Sequence, residues 1–388
     1  MKKILAIAIA TAFAAPAFAA TSNVDIYGNL HLSVDRLDDG NNSGTNVSSN
    51  ASSLGFKGSE DLGGGLNAIW QIETNLNGDG ASGQAGVFGG QRDTFVGLKG
   101  GFGTARLGFF NTPTKQLSHK LDLFHTRIGD TRNFLRSNAV SGANSVAVGS
   151  TCINTAGVTS LSTTANAGAA TCGGGSNTWE ERFRNGIRYD TPSFGGFTGS
   201  VHYSTQTNTQ VATDNDLDAY SLGANYSNGP LFVGATYQRS NRVPGTVASG
   251  QSEDKETNWR LGAGFNIADL RLTALYSQSA DENGLSGNDR KVWGLGAGYK
   301  LGNGEIKAQF YKAGDSDLVS DTGAKMYAVG YDYNLSKRTL AYVAYAKTKN
   351  EAGGQFSVSG GGGHGDNAGA AAGGQDPSGF SLGMIHKF

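Results

Sequence analysis

The stretch Val24–Asp35 reads VDIYGNLHLSVD and alternates strictly between two kinds of residue. Val24, Ile26, Leu30 and Val34 share one parity, and polar side chains such as Asp35 occupy the other. Because successive side chains of a β-strand point to opposite faces, this pattern predicts a strand with one apolar and one polar face. The same alternation recurs around residues 197–204, 220–227, 259–267 and 380–384.

Connections of two lengths separate the strand-like segments. The sequence predicts sixteen such segments, with tight turns such as 101–102, 268–269 and 302–303 alternating with long connections such as 38–51, 77–91 and 111–180. Short turns at one end and long loops at the other are typical of an up-and-down antiparallel sheet. An even number of strands places both termini at the tight-turn end.

The polar parity of nearly every segment holds Ser, Thr, Asn, Gly, Arg or Glu. A closed sheet of sixteen strands is too wide for side chains to fill, so its interior has to be aqueous and its apolar exterior has to face lipid. Closure also satisfies every backbone polar group, as a membrane requires. We therefore predict an all-β fold, a transmembrane 16-stranded antiparallel up-and-down β-barrel. An exported soluble β-sandwich or solenoid is the alternative, but it explains neither the strand number nor the two loop classes.

Composition excludes several other classes. The chain has 388 residues, 60 of them Gly, with 16% charged residues, 10% aromatic residues and a net charge of −1. The aromatic content argues against general disorder, and the charge balance does not favour a nucleic-acid-binding protein. Residues 1–19 carry Lys2, Lys3, an apolar segment and Ala17-Phe18-Ala19, which predicts a cleaved signal peptide. Residues 20–388 would then form a single barrel.

Two cysteines, Cys152 and Cys172, lie in a Ser/Thr/Ala/Gly-rich part of the 111–180 connection. An exported protein meets an oxidising compartment, so we predict a disulfide between them that restricts this segment. The alternative is two free thiols in a loop.

Several motifs resemble those of the general bacterial porins, the trimeric outer-membrane channels of Gram-negative bacteria. They are Leu54–Gly63 (LGFKGSEDLG), Ala68–Glu73 (AIWQIE), Arg92–Leu98 (RDTFVGL), Arg182–Pro192 (RFRNGIRYDTP) and the C-terminal His386-Lys387-Phe388. The resemblance implies a homotrimer in the outer membrane, surrounded by lipid and lipopolysaccharide. It further implies that barrel-assembly machinery reads Phe388 and that the third long loop, 111–180, folds inward to narrow the pore.

Charged side chains across the narrowest point of such a pore bias which ions pass. Arg182, Arg184 and Arg188 share the polar parity of one segment, which predicts a basic column on the pore wall. The resemblance places constriction arginines at Arg182 and Arg92. Lys57 and Glu73 have pore-facing parity, and Asp122 and Asp130 are the acids available on the loop, among Lys115, Lys120, Arg127, Arg132 and Arg136.

The sequence also departs from the family. Ser53 and Phe109 stand where many relatives carry arginine, so one or two basic wall charges are missing, and the basic loop residues are candidates to replace them. From these charges we predict a passive channel for ions and small hydrophilic solutes that mildly favours anions.

No cofactor, metal site or catalytic centre is predicted. Gly379-Phe380-Ser381-Leu382-Gly383 matches a nucleophile elbow, but the motif needs a strand-to-helix turn and here lies inside the last predicted strand. The histidines lack the spacing of metal ligands. A substrate-specific porin and an outer-membrane barrel enzyme remain as alternative functions.

Overall fold

A computed structural model describes residues 23–80, 86–136, 146–148, 151–153, 159–161, 178–205, 218–241, 255–282, 286–359, 365 and 373–388. The predicted signal peptide lies outside these residues. The predicted Cys152–Cys172 disulfide also lies outside the described side chains. Among the described residues, no helix is long and apolar enough to cross a membrane.

Eighteen hydrogen-bonded segments make up sixteen barrel strands, because β2 and β4 are each interrupted once. The strands are β1 Asn23–Asp38, β2 Ser43–Ser49 with Ser53–Gly63, β3 Leu66–Leu76, β4 Phe88–Gln91 with Thr94–Gly100, β5 Gly103–Asn111, β6 Arg182–Asp190, β7 Phe197–Ser204, β8 Ala219–Asn228, β9 Leu231–Asn241, β10 Lys255–Ile267, β11 Leu270–Ala280, β12 Arg290–Leu301, β13 Gly304–Ala313, β14 Ala324–Asn334, β15 Thr339–Asn350 and β16 Ser378–Lys387.

Every neighbouring pair is antiparallel, and the sheet closes where β1 pairs with β16 from Asn29–Lys387 to Asp38–Ser378. Gly28 and Phe388 exchange two backbone hydrogen bonds of 3.1 Å, and Lys387 N–H donates to the carbonyl of Arg338 in a tight turn. The chain ends therefore lie with the short turns, and the predicted 16-stranded up-and-down barrel is confirmed.

The predicted connection 38–51 is wrong in part, because Ser43–Ser49 continues β2 and pairs with the second half of β1. A break at Asn50–Ser52, with Ala51 at a φ of 49°, separates the two parts of the strand. Both parities of SGTNVSS are mostly small and polar, so alternation could not reveal this extension.

In β1, the two parities of the alternating sequence lie on opposite sides of the barrel wall. Val24, Ile26 and Val34 are 58%, 63% and 50% exposed on the outside, whereas His31 and Asp35 are 1% and 0% exposed inside. Large apolar side chains on the outer surface recur in most strands, as expected for a barrel whose exterior is covered by lipid. Near the long-loop ends, aromatic rings pack across strands, for example Trp259 with Tyr276 at 5.0 Å.

Candidate pore constriction

The connection between β5 and β6 enters the barrel as a short helix. Helix α1, Pro113–Leu121, begins after Thr112, whose hydroxyl accepts a hydrogen bond of 3.2 Å from Lys115 N–H. Pro113 suits the first helical position, where no backbone donor is needed. A second helix, α2, covers Arg132–Leu135, and a 3-10 turn covers Thr178–Glu180 just before β6. The predicted inward-folded third loop is therefore present over its described residues.

Leucines of the loop pack onto glycines of the inner wall. A methyl group built on Gly234 would lie 2.7 Å from Leu117 Cδ1, and one on Gly296 would lie 2.9 Å from Leu123 Cδ1. A methyl group on Gly262 would overlap Leu121 Cδ1. Glycine at these positions leaves the wall flat enough for the loop to dock. Leu117 and Leu121 of the loop belong to one buried apolar cluster with residues of strands β11–β14, and Phe232 of β9 packs against it.

Polar contacts fix both ends of the loop. Glu180 and Arg260 of β10 form an ion pair in which their side chains are 1% and 0% exposed. Ser118 of α1 donates to Glu180 at 2.9 Å, and Arg260 Nη2 donates to the carbonyl of Leu135 at 3.0 Å. One buried carboxylate therefore joins the start of the loop, its end and the barrel wall.

The two predicted loop acids serve the fold of the loop itself. Asp122, 8% exposed, accepts hydrogen bonds from the backbone of Phe124 and Thr131 and from Gln309 of β13. Asp130, 0% exposed, pairs with Arg132 at 2.7 Å. The expectation that these carboxylates are available to face the pore is wrong, because both are occupied by contacts within the loop and, for Asp122, also by Gln309 of β13.

Burial and the neighbouring Asp130 carboxylate raise the pKa of Asp122 well above its usual range. For Asp130, burial acts in the same direction, but the ion pair with Arg132 outweighs it and holds the pKa below its usual value. The ion pair with Arg132 therefore favours the charged form of Asp130, whereas burial beside Asp130 favours the neutral form of Asp122.

Among the described residues, Asp122, His125 and Asp130 form the only cluster whose donor atoms are close enough together to hold a metal ion. One ligand atom from each of Asp122, His125 and Asp130 lies within 4.8 Å of the others. Their donors do not fit a resident cation, because Asp122 already binds backbone N–H groups and Asp130 is paired with the Arg132 guanidinium. No metal role is assigned to them.

On the opposite wall, arginines are held by carboxylates. Arg92 pairs with Glu73 and donates to Asn75 at 2.9 Å, while Arg182 pairs with Asp93. These contacts orient the two guanidinium groups that the family resemblance placed at the constriction. Glu73 also accepts a hydrogen bond of 2.8 Å from the Tyr27 hydroxyl. The ammonium group of Lys57 lies 5.1 Å from the centroid of the Tyr27 ring, and Lys57 is not among the residues that line the cavity between this wall and the loop.

The predicted column of three arginines on β6 does not form. Pairing with β5 shifts between Phe183 and Gly186, where Asn185 adopts a φ of 47°. This bulge moves Phe183 to the buried side and leaves Arg184 exposed. Arg188 points inward, but it pairs with Asp190 and donates to Gln116 at 2.7 Å and to the carbonyl of Asn111 at 2.9 Å. It therefore anchors the loop to β6.

A cavity of about 290 Å³ separates this wall from the loop. Five basic side chains line it, and among the lining residues that the structure describes Glu180 is the one acid. The basic residues are Arg92, Arg182, Lys115, Arg132 and Arg136. Lys115 and Arg136 differ from the other three because no described carboxylate forms an ion pair with them. The cavity therefore lies between wall and loop and has a predominantly basic lining.

Two histidines of the same lining were not identified from the sequence. The rings of His119 and His125 are in contact, with centroids 4.2 Å apart and planes tilted by 46°. Burial, reinforced by nearby Arg132, lowers the pKa of His125 to about 3 and also holds the pKa of His119 well below its usual value. Both rings are therefore neutral at pH 7. Their spacing of six residues carries no signal that could have predicted the contact.

Comparisons with known proteins agree with this architecture. A family model described as Gram-negative porin matches residues 6–353. The major outer membrane protein P.IB of Neisseria meningitidis serogroup B is 30% identical over 289 residues, which cover 72% of this chain and 70% of that protein. The P.IB protein of Neisseria gonorrhoeae is 31% identical over 242 residues, and the match spans 56% of its length.

Solved structures share the fold. The anion-selective porin from Comamonas acidovorans superposes with a TM-score of 0.75 at 27% identity and covers 95% of this chain and 100% of its own. Salmonella typhi OmpF, at 16% identity and a TM-score of 0.66, is similar in fold. The predicted resemblance is confirmed, and this chain belongs to the Gram-negative porin family of outer-membrane proteins.

Proposed function

We propose that this protein is a passive diffusion channel for ions and small hydrophilic solutes that mildly favours anions. The observation that carries the proposal is the cavity of about 290 Å³, lined by five basic residues and one acid, between the inserted loop and the wall formed by β2–β4 and β6. Solutes that pass between them meet a positive potential, which raises the local concentration of anions and lowers that of cations.

The ion pairs explain why the preference is mild. Arg92, Arg182 and Arg132 each have a carboxylate partner, so much of their charge is balanced within a few ångströms. Lys115 and Arg136 carry the uncompensated charge toward the passage. We assign them the larger share of the selectivity, and Arg92 and Arg182 the role of a polar, oriented wall along which anions can form hydrogen bonds.

The related Comamonas acidovorans protein is described as an anion-selective porin, which supports the same sign of selectivity here. An outer-membrane protein of Vibrio cholerae with the same fold is described in a trimer form. We further propose that residues 20–388 form one barrel that assembles as a homotrimer, that it contacts lipopolysaccharide, and that Phe388 is its assembly signal.

Reversal potentials in KCl gradients across planar bilayers test the selectivity. Arg136→Gln should lower the chloride-to-potassium permeability ratio severalfold, because an unpaired charge leaves the passage. Arg184→Gln is the matched control, since it removes the same charge from an exposed residue of β6 that does not line the cavity. A cation preference in the unmodified protein, or equal shifts in both variants, would contradict the proposal.

A further inference from the structure

A short segment of the last long connection, residues 354–359, lies against the inserted loop. Gly129 N–H in the loop donates a hydrogen bond of 2.7 Å to the carbonyl of Val358. The rings of Phe134 in α2 and Phe356 are in contact, with centroids 4.5 Å apart. We call residues 354–359 the strap, because this segment joins the loop to the end of a barrel strand.

Hydrogen bonds fix the strap at the long-loop end of β15. Phe356 N–H donates to the side-chain oxygen of Asn350 at 2.9 Å, and Asn350 Nδ2 donates to the carbonyl of Phe356 at 3.0 Å. Thr348 Oγ1 donates to the carbonyl of Ser357 at 3.1 Å. Residues of β15 therefore place the backbone of the strap without help from the inserted loop.

Two apolar side chains of the strap are buried against different parts of the loop. Phe356, 1% exposed, belongs to the apolar cluster that contains Phe134 of α2. Val358, 0% exposed, belongs to a second cluster that contains Phe124 and Ile128. Because removal of apolar surface from water stabilises both contacts, the strap and the loop are expected to move together.

Helix α2 needs support from its neighbours, because it has only four residues, Arg132–Leu135. Helices of this length are not stable by themselves and depend on tertiary contacts. Phe134 is midway in sequence between Arg132 and Arg136, and both arginines line the cavity between wall and loop. The contact of the Phe134 ring with Phe356 therefore holds the turn of backbone that carries both guanidinium groups.

Arg136 depends on this contact more than Arg132 does. The ion pair with Asp130 is a second restraint on Arg132. Within the part of the chain that the structure describes, no carboxylate forms an ion pair with Arg136, and its buried Nε has no hydrogen-bond partner. The place of the Arg136 charge is therefore set by the backbone at the end of α2.

We propose that the strap, through Phe356, positions the end of α2 and thereby holds the charge of Arg136 in the passage between loop and wall. Phe356 is a positioning residue, since it does not line the cavity and acts through Phe134. The inference rests on the proposed anion preference, to which Arg136 contributes an uncompensated charge. Loss of the Phe356 ring leaves a cavity beside Phe134, so α2 can shift and the charge leaves its place.

Hydrogen exchange of the full-length protein in detergent, measured by mass spectrometry, tests the contact itself. In Phe356→Ala, the backbone amides of residues 129–135 should exchange at least roughly tenfold faster, because a buried ring is lost. Phe356→Leu keeps a large apolar side chain and should exchange nearly as slowly as the unmodified protein. Phe194→Ala is the matched control, since this ring is 65% exposed in the turn between β6 and β7. Faster exchange confined to the strap, or equal exchange in both alanine variants, would overturn the proposal.

Reversal potentials in KCl gradients test the effect on Arg136. Phe356→Ala should lower the chloride-to-potassium permeability ratio, and Phe356→Leu should retain most of it. When Arg136→Gln is already present, Phe356→Ala should produce no further decrease, because the charge that it displaces is gone. A purely structural role of the ring predicts the same decrease with and without Arg136, and that result would contradict positioning of this charge.

The outcomes separate this inference from the proposed function. A cation preference in the unmodified protein would contradict the proposed function, but a decrease of the permeability ratio in Phe356→Ala that Arg136→Gln abolishes would support the positioning role even then. If Arg136→Gln lowers the ratio and Phe356→Ala leaves it unchanged, the proposed function stands and the inference fails. If Arg136→Gln leaves the ratio unchanged, the positioning of a selective charge by Phe356 fails as well.

Discussion

Glu180 and Arg260 form an ion pair with almost no solvent exposure, and it joins the end of the inserted loop to strand β10. The same carboxylate accepts hydrogen bonds from Ser118 in α1, and the same guanidinium donates to the carbonyls of Thr114 and Leu135. The inserted loop is therefore fixed to the wall by the same carboxylate that supplies the one acid among the described lining residues of the cavity. A change at Glu180 is expected to alter both the position of the loop and the charge of the passage.

Glu180→Gln should loosen the loop. Removal of one partner from a buried ion pair leaves the other charge uncompensated, at a cost of roughly 3–5 kcal/mol. Because the barrel wall has its own hydrogen bonds, we expect the loss to appear as loop movement, with larger and noisier single-channel conductance. Glu180→Gln/Arg260→Met removes the stranded charge and should recover much of the quiet conductance. If the conductance of Glu180→Gln equalled that of the unmodified protein, the ion pair would not be what holds the loop.

Gly262→Ala tests the contact between the loop and the wall. The added methyl group would overlap Leu121 Cδ1, so the loop has to move or strain, at roughly 1–3 kcal/mol. Gly264→Ala is the matched control, because its methyl group would lie 3.5 Å from Leu121 Cδ2, an ordinary contact. We expect altered conductance and a lower melting temperature only for the first variant, and recovery when Leu121→Ala is added to it. Equal behaviour of the two alanine variants would argue against close docking at Gly262.

The barrel could be predicted from the sequence because one physical requirement, apolar residues outside and polar residues inside, is repeated in each strand. Val24 and Ile26 against His31 and Asp35 show the pattern, and the structure places them as expected. The pattern fails where neither face needs an apolar residue, as in Ser43–Ser49.

The constriction was harder to predict, since its geometry depends on local backbone and on partners distant in sequence. Arg184 left the predicted column because Asn185 takes a left-handed conformation that produces a bulge. Asp122 and Asp130 are identifiable as loop acids, but the sequence does not reveal that backbone amides and Arg132 occupy their carboxylates. Arg92 was identified only through the family resemblance, whereas both alternation and the resemblance indicated Arg182.

The cysteine pair gives a prediction that rests on sequence and compartment. Cys152 and Cys172 of protein isolated from the outer membrane should resist alkylation until a reductant is added, as mass mapping under non-reducing conditions can show. A disulfide across this segment would stabilise the folded protein by on the order of 3 kcal/mol, mainly by restricting the unfolded chain. Labelling of both thiols without reductant would contradict the disulfide.

The selectivity should respond to alkaline rather than to mildly acidic pH. Ordinary histidines gain charge near pH 6.5, but burial lowers the pKa of His125 to about 3 and that of His119 well below its usual value. Acidification from pH 7.5 to 5 therefore adds no positive charge to the passage, and the chloride-to-potassium permeability ratio should stay constant. Burial, followed by repulsion from Arg182 and Arg132, also lowers the pKa of Lys115. A lowered lysine pKa means that its charge is lost earlier as pH rises.

The anion preference should consequently decline on the alkaline side, below the pH at which an exposed lysine titrates. Reversal potentials measured from pH 5 to pH 9.5 test both the constant permeability ratio in acid and its decline in alkali. They are compared between the unmodified protein and Lys115→Gln, because the variant should lack the alkaline decline. His125→Asn serves as the second comparison and should follow the unmodified protein between pH 7.5 and 5. A rise in anion preference centred near pH 6.5 that this substitution abolishes would show that the histidine is accessible to protons, and that the loop is less closely packed than its contacts indicate.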